Sequence, residues 1–168
     1  MRASAGLPRA RIMRVFERKG WFRIAVPEGW EVEEMADGPA AIFRRGGVGT
    51  LQVSAQDPRP LRRGEQLDVA LLFGAYLRGI GVDPGGVRRE RFRRGGAEWA
   101  AGEYVEEDPG GGRTFWRLWM AAGPRGLAFL TYACPEPDRH REREAVEEIV
   151  ATLALEGTGP EGPGGAPR

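Results

Sequence analysis

Two neighbouring stretches of this chain have no polar face. Residues 113–122 and 126–134 read as strands joined by a turn at Gly123-Pro124-Arg125. In the first, Trp116, Leu118 and Met120 point one way while Phe115 and Trp119 point the other. In the second, Leu127 and Phe129 oppose Leu130 and Tyr132. A strand that is apolar on both sides has to be covered on both sides, so this pair belongs in the middle of its sheet. The rest of the chain must supply flanking strands and two covering layers.

The flanking segments have that character. Residues 21–30, Trp-Phe-Arg-Ile-Ala-Val-Pro-Glu-Gly-Trp, read as a strand that stops at a corner. Phe22, Ile24 and Val26 share one face, Pro27 cannot continue a ladder, Gly29 frees the backbone to turn, and Trp30 pins the corner. A first strand over 12–18 leads into it through Lys19-Gly20. A weaker one over 31–36, with Val32 and Met35, runs to a turn at Asp37-Gly38-Pro39. Strands over 40–45 and 50–55 flank Gly46-Gly47. In the latter Leu51, Val53 and Ala55 alternate with Thr50, Gln52 and Ser54, the pattern of a half-buried antiparallel strand. Asp57-Pro58-Arg59-Pro60 closes this part.

Residues 65–80 switch to helical period, with Leu67, Ala70, Leu71, Gly74 and Leu77 as the core stripe. Strands return over 87–92 and 97–106, followed by a Gly-rich loop over 108–112. Pro135 and Pro137 then break the sheet. Asp138 is placed to cap a last helix running to Leu153, with Val146, Ile149, Val150 and Leu153 facing inward. Strands, helix, strands, helix is not the alternation of a doubly wound parallel sheet. The fold class is α+β: a mainly antiparallel sheet with helices packed on its faces. One domain spans 12–155, between a flexible extension (1–11) and a Gly/Pro-rich tail (156–168) expected to be disordered.

A chain of 168 residues can bury roughly 70% of its unfolded surface without a disulfide or metal. Net charge is +1, so no global field draws nucleic acid or anionic membrane. Basic residues number 25, yet Lys19 is the single lysine, and asparagine is missing. GC-rich codons account for this; the missing asparagine would also suit a thermophile. Cys134 is alone, which excludes an internal disulfide and any paired-cysteine redox or zinc site. No apolar run follows the basic start, so neither a secretory signal nor a membrane span is read; a cytoplasmic location is expected if the start is correctly placed, Met13 being an alternative start to Met1.

No catalytic set emerges. His140, the one histidine, lies in a charged stretch and is expected in solvent; Ser4 and Ser54 offer no triad. Glu103, Glu106, Glu107 and Asp108 lack companion metal ligands at defined spacing. The glycine clusters at 46–49 and 110–112 open no helix and read as hairpin turns rather than phosphate loops. No cofactor is expected. Three groups remain. Arg88, Arg89, Arg91, Arg93 and Arg94 form a basic strip for a polyanion, or an edge strand blunted by charge. Phe115, Arg117 and Trp119 are the candidate interaction surface, the side chains of the late strands best placed to reach solvent. Trp99, Tyr104 and Trp116 are the candidate lining of a pocket between sheet and helix.

The segment 22–30, an apolar strand followed by Pro-x-Gly-Trp, resembles the opening of the PsbP-like/Mog-type (DcrB-like) superfamily. The closing segment 145–153, Ala-Val-Glu-Glu-Ile-Val-Ala-Thr-Leu, resembles that superfamily's terminal helix, with Thr152 where a serine is usual. The resemblance spans about residues 12–155. It implies an α/β/α sandwich and a binding, docking or chaperone-like role, and it carries over no catalytic residue. The expectation is a non-enzymatic protein-interaction module with an unknown protein partner, its surface on an exposed sheet edge or around Trp119. The alternatives are a small-ligand-binding protein or unrecognised enzyme using the pocket, and polyanion binding through Arg88–Arg94.

Overall fold

The computed structural model describes residues 12–36, 38–56, 67–124 and 126–157. The extension 1–11, the turn 57–60, the first two residues of the expected helix and the tail beyond 157 lie outside the described residues, as do Asp37 and Arg125 within their turns.

The described chain begins with a hairpin of β1 (Met13–Arg18) and β2 (Phe22–Pro27). It continues through β3 (Trp30–Glu34), β4 (Ala40–Arg44) and β5 (Thr50–Gln56) to helix α1 (Val69–Gly79). Four strands follow: β6 (Arg88–Arg94), β7 (Ala97–Glu107), β8 (Arg113–Ala122) and β9 (Leu127–Pro135). Helix α2 (Arg143–Ala151) and a two-residue strand β10 (Ala154–Leu155) complete it. Seven strands make one antiparallel sheet in the order β3-β4-β5-β9-β8-β7-β6, and β1-β2-β10 make a second, small sheet. The architecture is the expected α+β sandwich, with β8 and β9 inside the large sheet as their two apolar faces require.

Strand alternation divides the core in two. Phe115, Trp119, Leu130 and Tyr132 face a layer made of α2 and the small sheet, together with Phe22, Ile24, Val26, Val146, Ile149 and Val150. Leu118, Met120 and Ala100 face the opposite way, against Val69, Phe73 and Leu77 of α1. The Pro27–Trp30 corner carries the chain from the small sheet to the large one. Gly29 has φ of 86°, which only glycine adopts cheaply, and Trp30 is buried just beyond it. The Arg14 guanidinium donates to the Trp30 carbonyl at 2.8 Å and ties the two sheets at the bend.

Three local expectations are corrected. The core stripe of α1 is Val69, Phe73, Gly74 and Leu77, whereas Leu71 is 69% exposed. The helix turns toward Phe73 because its large ring fits over Gly102 of β7, and that rotation puts Leu71 outside. Asp138 does not cap α2. Closely spaced prolines hold residues after β9 in a short 3₁₀ turn, Glu136–Asp138, and the helix starts at Arg143. The strand after the corner ends at Glu34, leaving Met35 exposed. β10, which pairs with β2, has no counterpart in the periodicity because two residues carry no period. Among the described residues no helix is long and apolar enough to cross a membrane.

Candidate functional site

The arginine-rich strand β6 is the outermost strand of the large sheet, paired with β7 on one side only among the described residues. Six of its seven residues are exposed. Its outer row of backbone N–H and C=O groups is therefore presented to solvent. Alternation splits the strip. Arg89, Arg91 and Arg93 lie opposite Gly102, Ala100 and Glu98, on the α1 side. Arg88, Glu90, Phe92 and Arg94 lie opposite Glu103, Ala101, Trp99 and Ala97, on the α2 side.

On the α1 side a groove of about 310 Å³ runs between helix and strand. Ala70, Phe73 and Ala100 give it apolar walls, and Arg89, Glu90 and Arg91 stand on its strand side. Arg91 is held by Glu98 at 2.7 Å. Arg89 and Arg93 have no carboxylate at ion-pair distance among the described residues. Nη1 atoms of Arg78 and Arg89 both converge on Gly74, standing 3.7 and 3.8 Å from where a β-carbon there would lie. Two like charges are thus brought to one spot on the groove's flank.

On the α2 side the charges form a network. Arg117 reaches Glu103 at 2.9 Å, Glu90 at 2.9 Å and Glu147 at 2.6 Å, with its guanidinium 5.2 Å from the Trp119 ring centre. Arg143 reaches Glu103 at 3.4 Å. The network ties β6, β7 and β8 to α2. Beside it is a cavity of about 240 Å³ lined entirely by charged residues: Arg88, Arg89, Glu90, Glu103, Arg117 and Arg143. Further along the edge, Phe92 stacks on Trp99 at 5.7 Å and the Arg94 guanidinium lies 5.0 Å from the Phe92 ring centre. Arg94 therefore packs on aromatic rings rather than standing free.

The other expected groups are placed differently. Phe115 and Trp119 are 5% and 1% exposed, under α2, and Arg117 is committed to three carboxylates, so these three residues do not form an open patch. Trp99, Tyr104 and Trp116 do not line one pocket. Trp99 is at an odd position of β7 and enters the α2-side core, while Tyr104 stacks on Trp116 at 6.3 Å on the α1 side. A sheet cannot bring opposite faces of one strand together. His140 is exposed and accepts a hydrogen bond from the Arg139 side chain at 3.0 Å.

One buried cluster has no sequence signature. Glu142, 5% exposed, accepts from the Gly49 N–H and the Tyr132 hydroxyl, each at 3.0 Å. Burial pushes the Tyr132 hydroxyl far above its ordinary value and also raises the Cys134 thiol, which keeps the thiol protonated. The open groove outside, about 440 Å³, is lined by Gly47, Gly49, Thr114 and Cys134 among others. The glycine cluster at 46–49 thus folds over a carboxylate instead of cradling a phosphate.

No family model matches the chain, and no curated protein matches it. Solved structures do. The cyanobacterial PsbP (CyanoP) of Synechocystis superposes with a TM-score of 0.60 at 9% identity, over 90% of this chain and 97% of that one. A Bacteroides thetaiotaomicron protein matches with a TM-score of 0.58 at 18% identity over 81% of this chain, which spans only 45% of its length. LpqN, involved in cell envelope biogenesis of Mycobacterium tuberculosis, matches with a TM-score of 0.54 at 13% identity, covering 80% of this chain and 82% of that one. The fold is PsbP-like, as the Pro-x-Gly-Trp corner implied.

Proposed function

We propose that this protein is a docking module without chemistry of its own, which binds another protein by accepting an extended segment along the outer edge of β6. The observation that carries the reading is the position of β6: a seven-residue, solvent-exposed terminal strand beside a groove with apolar walls. Backbone hydrogen bonds along such an edge supply affinity, and side-chain seats on alternate residues supply selectivity. The arginines serve both ends. They repel a second copy of the same edge, which guards against self-association, and they leave the edge open to a partner of opposite charge. Polyanion binding by the whole strip is less well supported, because Arg91 is neutralised by Glu98 and Arg94 lies on the Phe92 ring.

The test is selection of peptides from a random library on the purified protein, followed by NMR mapping of the bound site. Amide shifts concentrated at residues 88–94, and loss of binding when alternate peptide residues are N-methylated, are the expected results. Selected peptides that map instead to the groove at Cys134, or that tolerate N-methylation, would overturn the proposal.

A further inference from the structure

We infer that the segment received by β6 is acidic, with carboxylates two residues to either side of an apolar side chain; this rests on the docking reading above. Charge is left over on β6 after internal pairing. On the α1 side of β6, Arg91 is answered by Glu98 at 2.7 Å. Arg89 and Arg93, which flank it at i−2 and i+2, are exposed and have no carboxylate partner among the described residues. Arg78 adds a third cation beside Arg89 over Gly74. A chain does not gain stability by converging guanidinium groups, since like charges at short range repel. The arrangement becomes favourable once an anion lies between them.

The spacing selects the form of that anion. Arg89 and Arg93 are on one face of one strand, four residues apart, hence roughly 13 Å along it. A strand added in register presents its own same-face residues at the same interval. Carboxylates four residues apart therefore face both arginines at once. The residue midway lies opposite Arg91, where the groove offers Ala70, Phe73 and Ala100 to an apolar side chain. A nucleic-acid backbone fits less well, because phosphates do not supply an apolar group at the midpoint and cannot complete the strand ladder.

The probe is a blocked seven-residue peptide with glutamate at positions 2 and 6 and leucine at position 4, titrated into isotopically labelled protein. It is expected to move the amides of residues 88–94, with affinity falling as salt rises. Glutamine at both glutamate positions should weaken it about tenfold. The double variant Arg89→Glu, Arg93→Glu should lose the acidic peptide and gain one bearing lysines at positions 2 and 6, an exchange that a misfolded variant could not make. If the glutamine peptide moves the same amides with equal affinity, the acidic assignment is overturned while docking at β6 stands. If a short oligothymidylate occupies β6 more tightly than the glutamate peptide, the partner class is overturned. Docking itself fails if library-selected peptides do not map to β6 or bind unchanged when N-methylated.

Discussion

A single added carbon would be felt strongly at Gly102 and Gly49. A β-carbon on Gly102 would lie 2.7 Å from Val87 Cγ1 and 3.1 Å from the Phe73 ring, so this glycine is what lets α1 settle on β7. Gly102→Ala is expected to destabilise the fold by about 1–3 kcal/mol, read as a lower urea midpoint at unchanged slope. Gly49 has less room to yield: its β-carbon would meet the Tyr132 hydroxyl and come within 2.6 Å of the Ala133 carbonyl oxygen. The three tyrosines make a pH prediction. Burial raises Tyr76, Tyr104 and Tyr132, with Tyr104 pushed up to about 12. An unfolded tyrosine ionises near 10, so above that pH the unfolded chain binds fewer protons than the native one and stability falls as pH rises. Below pH 10 these groups leave stability flat. Absorbance near 295 nm should show tyrosine ionisation in the folded protein displaced above pH 10, with Tyr104 ionising near 12 unless unfolding comes first.

At the scale of elements, α1 shows how tertiary packing selects among helix faces. Leu67, Ala70, Leu71, Gly74 and Leu77 make an acceptable stripe on periodicity alone, and Val69, Phe73 and Leu77 make another. The second is the one buried. Phe73→Ala is therefore expected to cost about 3–4 kcal/mol and Leu71→Ala less than about 0.5 kcal/mol, by thermal or urea unfolding. Equal losses would mean the helix sits in the other phase. Asp68, whose carboxylate accepts from the N–H groups of Ala70 and Leu71, sets the start of the helix that this packing then rotates into place. The other helix was legible because its pattern is unambiguous: Val146, Ile149 and Val150 have no competing apolar face, and all three are buried. Thr152 closes α2 by donating to the Ile149 carbonyl at 2.7 Å and accepting from the Ala25 N–H at 2.8 Å, a link from helix end to β2.

For the molecule as a whole, both cores are built on the same β-strands. Phe115 and Trp119 of β8 serve the α2 side while Leu118 and Met120 of the same strand serve α1, so neither layer can be lost without uncovering β8. Unfolding is expected as one transition, with tryptophan fluorescence and far-ultraviolet circular dichroism giving coincident midpoints. Separate midpoints would show that α1 or the small sheet detaches independently. The sequence by itself determined what depends on neighbours along the chain: strand alternation, the Pro-x-Gly-Trp corner, the two-faced strands that must be central, and with them the sandwich. Those are local sterics and period-2 geometry, which need no partner to be read. The tertiary structure alone decided what depends on where faces meet. It buried Phe115 and Trp119, folded the 46–49 loop over Glu142, and fixed the order of the strands. Trp99 and Tyr104, five residues apart on one strand, are parted by the same period-2 geometry, and the run of arginines already read as an edge strand blunted by charge; strand order is a long-range choice, and the structure shows which strand is left without a neighbour. In this protein that choice left Arg89 and Arg93 exposed on β6, with the groove beside them.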